Sequence, residues 1–131
     1  MPKQLTSLLC AGALCGWVAC RPAASRTVSG RAATRVAAEY DVETVRGSLR
    51  VRLVEVVYAP GDTSVPHSHD CPVVAHVIDG NLRSGLNEQP ESVYTAGRGF
   101  YEPANSRHRV SGNASASEPT RFLAVFLCPT P

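Results

Sequence analysis

The chain's 131 residues make one domain, and an apolar share of 44% with 18% charged residues excludes a disordered tail or a coiled coil. Ten Gly and ten Pro favour many turns, and so short strands over long helices. The net charge of +2 is unevenly spread, with five Lys or Arg and no acid up to Ala37, then eight Arg against eleven acids from Ala38 on. The basic excess sits in the N-terminal segment, so the overall charge is no argument for a nucleic-acid partner, and none is expected.

Lys3 is followed by an almost uncharged stretch from Leu5 to Cys20. A spanning helix needs about 20 predominantly apolar residues, so this stretch reads as an export signal over residues 1–20. Val18-Ala19-Cys20 is similar to the end of a bacterial lipoprotein signal, which would make Cys20 the lipidated residue. Simple secretion, with cleavage near Ala23-Ala24, is the alternative. The acid-free, Arg- and Ser-rich run from Arg21 to Ala38 also suits an organellar transit segment. The expected location is therefore outside the cytoplasm: periplasmic, anchored as a lipoprotein, or secreted, with an organelle as the other address. Residues 21–44 lack apolar periodicity and are expected to form a linker. Cys10, Cys15 and Cys20 read as small apolar filler. Cys71 and Cys128 are left for the domain, as one disulfide or as two inert buried thiols.

The domain is expected over residues 45–131. Leu49 to Tyr58 alternates as a strand and ends in the turn Ala59-Pro60-Gly61-Asp62. Val73 to Ile78 is a second apolar run, closed by the hairpin signal Asp79-Gly80, and Asn81 to Leu86 is its partner. Ser92 to Thr95, Phe100 to Glu102, His108 to Ser111 and Arg121 to Cys128 complete the set. No window supports an amphipathic helix of three turns. Seven or eight short strands with regular turns predict an all-β sandwich or small barrel.

The histidines carry the chemistry. On an extended segment the imidazoles of His67 and His69 point to one face, and His108 opens a later strand. Gly61, five residues, then His67-Ser68-His69 and later Gly80 match the spacing of the first cupin motif. Gly97, five residues, then Pro103-Ala104-Asn105, two residues and His108 match the second, with Gly112-Asn113 at its end. The chain resembles a single-domain cupin over about residues 48–128. The resemblance implies a small double-stranded β-helix, or jelly-roll, barrel and carries metal positions onto His67, His69 and His108. Gly61, Gly80 and Gly97 stand where tight turns call for positive φ, and Asn105, in place of the motif's Gly, tolerates the same conformation.

One departure matters. Val73 stands where the motif has its acidic ligand, so three imidazoles alone would leave a divalent ion's +2 charge uncompensated. Glu102 is the first choice for a non-ligand acid at the barrel mouth, as a catalytic general acid/base. Tyr101 has the opposite parity, so only one of the two faces inward. His76 is expected on the outer face, and Arg107 and Arg109 on the solvated rim. Leu53, Val77, Phe100, Phe122, Val125 and Leu127 are candidates for the interior.

Two function classes follow. One is a metal-dependent enzyme acting on a small organic molecule by an oxygenase or an isomerase/lyase reaction. The other is a binding module for a metal or small ligand. Intrinsic affinity for imidazole favours Zn or Cu if the chain is exported, and Fe or Mn otherwise. The partners expected are a small-molecule ligand, the membrane only through a lipid anchor, and, in a third reading as a structural or oligomer-forming protein that ignores the histidines, a second copy as a homodimer.

Overall fold

The computed structural model describes residues 32–130. The export signal over 1–20, Cys20 and the proposed cleavage points lie outside the described residues. Among the described residues there are nine strands and no helix. They are β1 (Ala33–Thr44), β2 (Gly47–Tyr58), β3 (His67–Ser68), β4 (Val73–Asp79), β5 (Asn81–Leu86), β6 (Ser92–Thr95), β7 (Gly99–Glu102), β8 (Arg107–Asn113) and β9 (Thr120–Pro129).

These strands form two antiparallel sheets, ordered β1-β2-β9-β4-β7 and β3-β8-β5-β6. β9, the last strand in the chain, pairs with both β2 and β4 and so closes the larger sheet through its centre. Val56, Tyr58, Val73, Ala75, Val77, Phe122 and Ala124 of the larger sheet and Leu82 of the smaller form the buried core. The result is the jelly-roll barrel expected from the two glycine-punctuated histidine motifs.

Two expectations are corrected. From Ala33 onward the anticipated linker is a strand, β1, in register with β2. Its own apolar pattern is poor because it is an edge strand, mostly exposed on both faces. Backbone pairing and charge complementarity hold it instead: Glu39 lies opposite Arg52, Asp41 opposite Arg50, and Arg35 opposite Glu55. The second correction concerns parity. Val54 and Val56 on β2, and Phe122, Ala124 and Phe126 on β9, face the interior. Leu53, Val125 and Leu127 lie on the opposite face, where Leu53 is paired with Val125. Both strands are apolar on both faces, so local alternation carries no sign for which face turns inward.

The turns behave as their residues dictate. Gly80 has φ +77°, and a Cβ there would meet the Pro119 carbonyl oxygen at 2.4 Å, so the β4–β5 hairpin admits only glycine. Gly61 and Gly97 also have positive φ, and Asn105 adopts φ 60° without a glycine. Cys71 and Cys128 are joined in a disulfide, their Cα atoms 5.0 Å apart. It ties the segment after His69 to the end of β9.

Candidate functional site

β3 is short, but its pairing with β8 sets the site. His67 and His108 are direct cross-strand partners. His69 follows just after β3, and all three histidines line one cavity of about 190 Å³ between the sheets. Ring centroids are 4.8 Å apart for His67 and His69 and 5.2 Å apart for His67 and His108. Val54, Val56, Phe122 and Ala124 form an apolar wall of the cavity, and Phe126 meets the His69 ring edge-on at 5.0 Å.

Each imidazole has a different neighbourhood. His67 Nδ1 lies 2.8 Å from the Val65 carbonyl oxygen; donating an N–H there leaves the Nε2 lone pair free. His108 is buried, with Nε2 2.9 Å from the Ser84 hydroxyl and Nδ1 3.2 Å from Glu102 Oε1. His69 Nε2 lies 4.0 Å from Glu102 Oε2. Burial holds the His69 pKa below the usual imidazole range, with the Glu102 charge opposing that shift and His67 and His108 adding to it. A neutral His69 keeps a lone pair available for a Lewis acid.

Glu102 turns inward at 5% exposure while Tyr101 turns outward at 56%, as strand parity requires. Its carboxylate thus meets two of the three histidines. His76 lies on the outer face, between the buried Ala75 and Val77. Arg109 holds the loop after β5 through the carbonyls of Asn87 and Gln89, and Arg107 is exposed. Cys71 is committed to the disulfide and offers no thiolate. Sequence reasoning missed Ser84. Its parity with the buried Leu82 places it inward, but nothing local connects it to His108.

Three imidazoles and a carboxylate at one cavity are a donor set of the right chemistry for a first-row divalent ion. As they stand the donor atoms are not drawn together: among the described residues, no three His, Cys, Asp or Glu side chains form a ready ligand cluster. The set therefore fits such an ion by donor type and by the anchoring of His67, while its closure around one is a separate step.

A family model described as a cupin domain matches residues 54–126, which contain every one of these side chains. The chain belongs to the cupin family. No curated protein sequence matches it. Among solved structures, this cupin is similar to an uncharacterised conserved double-stranded β-helix protein from Klebsiella pneumoniae, at 20% identity and a TM-score of 0.62 over 84% of each chain. It is also similar to KdgF from Halomonas sp., at 17% identity and a TM-score of 0.59 over 79% of this chain and 85% of that one. A third similarity is to a chain from the structures of the DMSP lyases RdDddP and RnDddQII, at 21% identity and a TM-score of 0.53. There the match takes in 59% of this chain but only 38% of the lyase. At these identities the likeness is one of fold.

Proposed function

We propose that this cupin binds a divalent transition ion through His67, His69 and His108 and acts on a small organic ligand in its barrel. The observation that carries the reading is convergence: histidines from two motifs share one cavity whose remaining lining is largely apolar. A bound ion would supply Lewis acidity, and redox chemistry as well if it were Fe or Cu. The chain's own residues would do the rest. Val65 and Ser84 orient two of the imidazoles, and the Val54, Val56 and Phe122 wall excludes water from an apolar portion of the ligand. An oxygenase or an isomerase/lyase reaction suits such a site, and the DMSP lyase neighbour provides a precedent for a lyase on this fold. The donor atoms not being drawn together favours one second reading, a module that holds a small ligand without turning it over.

The proposed location is outside the cytoplasm, with or without a lipid on Cys20. The Cys71–Cys128 disulfide supports it, because such bonds persist in oxidising compartments. Zn or Cu is then the expected ion, by affinity for imidazole. The decisive experiment is elemental analysis of the protein purified from its native compartment, beside His108→Ala. Near-stoichiometric metal in the wild type and little in the variant is expected. Less than about a tenth of an equivalent in the wild type would overturn the metal reading, given the affinity of imidazole sites.

A further inference from the structure

Glu102 is a carboxylate taken out of water with no ordinary counter-charge. It is 5% exposed, and among the described residues the only basic groups within 4 Å of it are the imidazoles of His108, at 3.2 Å, and His69, at 4.0 Å. Burying an ionised carboxyl is costly unless a cation or several hydrogen bonds meet it. The three histidines have the converse deficit. Neutral imidazoles bring no negative charge, so a divalent ion on them would keep its full +2 inside a largely apolar barrel. One carboxylate at the same place removes half of that charge.

Strand register adds a positional argument. Glu102 on β7 lies directly opposite Val73 on β4, and both side chains line the cavity. Val73 has only hydrocarbon to offer, so β4 supplies no donor at that level. β7 supplies one only through Glu102, because Tyr101 faces outward. We propose that Glu102 is the fourth, anionic ligand of the ion held by His67, His69 and His108, delivered from β7 across the strand pair from Val73. The inference rests on the metal reading above, and it replaces the proton-transfer role expected of Glu102 from the sequence.

The test uses the metal-free full-length protein titrated with Co(II), read by its visible absorption and by competition with a chromophoric chelator. Glu102→Gln keeps the shape and removes the charge. It is expected to weaken Co(II) binding by at least about 100-fold, beyond the 10–100-fold usual for groups that only orient ligands, and to alter the absorption bands. Val73→Glu combined with Glu102→Gln returns a carboxylate to the cavity from the neighbouring strand and is expected to recover most of the lost affinity. Glu102→Asp, which keeps the charge but withdraws it by one methylene, gives a second measurement should the Gln variant misfold; weaker binding with shifted bands is expected. Wild-type affinity and unchanged bands in a folded Glu102→Gln or Glu102→Asp protein would overturn the ligand role while leaving the three-histidine site standing. Failure of the wild type to bind Co(II) at all would overturn the metal reading and this assignment together.

Discussion

His67 and His108 are cross-strand partners on β3 and β8, with ring centroids 5.2 Å apart. Two residues of β3 are enough to make the pair because each faces its partner across one rung of the ladder, where side chains lie closest. A site built this way loses a donor outright when either ring is removed, since His67, His69 and His108 are the only described histidines that line the cavity. His67→Ala and His108→Ala are each expected to weaken divalent-ion binding by more than about 100-fold. Chelator competition on the purified variants measures this, and a loss under about tenfold would argue that the rings are only polar lining of the barrel mouth.

Ser84 reaches the cavity's histidines by its contact with His108. Its buried hydroxyl lies 2.9 Å from His108 Nε2, which leaves Nδ1 turned to Glu102. Removing the hydroxyl leaves a buried ring nitrogen unpaired, at a cost of about 1–3 kcal/mol. Ser84→Ala is expected to lower the denaturation midpoint and to reduce ion affinity by about 10–100-fold, as loss of an orienting partner does. A variant destabilised by that amount but binding metal as tightly as wild type would confine Ser84 to packing.

The disulfide closes a separation of 57 residues between Cys71 and Cys128. Chain-entropy reasoning gives about 4 kcal/mol for a loop of that length. Cys71→Ser with Cys128→Ser is expected to lose a large part of this, seen as a lower urea midpoint than the oxidised wild type. Reduced wild type should unfold near the double variant. The bridge also anchors the chain two residues beyond His69, so reduction is expected to weaken ion binding as well as stability.

The edge strand β1 is held by charge as well as by its backbone pairing. The Arg50 hydrogen bond holds the Asp41 carboxyl below the usual carboxylate range, and Arg35 does the same for Glu55. Both folded-state pKa values are depressed. The stabilisation is therefore present above the unfolded carboxylate pKa, near about 4, and is lost as pH falls through the lower folded values. Amide protection factors in β1 are expected to drop between pH 6 and pH 3, while those of the buried β4 hold longer. High salt at pH 6 should reproduce part of the β1 loss, because these pairs are exposed and screened. Equal loss in β1 and β4 would mean that the sheet opens as one unit.

Local chemistry in the chain determined much of this protein. Alternation, Asp79-Gly80 and the Pro/Gly punctuation located the neighbourhoods of seven of the nine strands among the described residues, all but β1 and β3, because period-two patterning and positive-φ turns are properties of a few adjacent residues. The parity of Glu102 against Tyr101, and of His76 against Val77, was legible for the same reason. Tertiary structure alone decided the rest. β1 became a strand by backbone pairing with β2, which also offers Arg50, Arg52 and Glu55 in register with its opposite charges. Which face of β2 and β9 turned inward followed from packing between sheets, since both strands are apolar on both sides. Cys71 met Cys128, Ser84 met His108, and Glu102 met His69 and His108 through pairings between distant segments, and no window of sequence holds both members of such a pair. The net charge of +2 divides in the same way. Some of the eleven acids behind it tie β1 to β2, while Glu102 is turned inward to face the histidines.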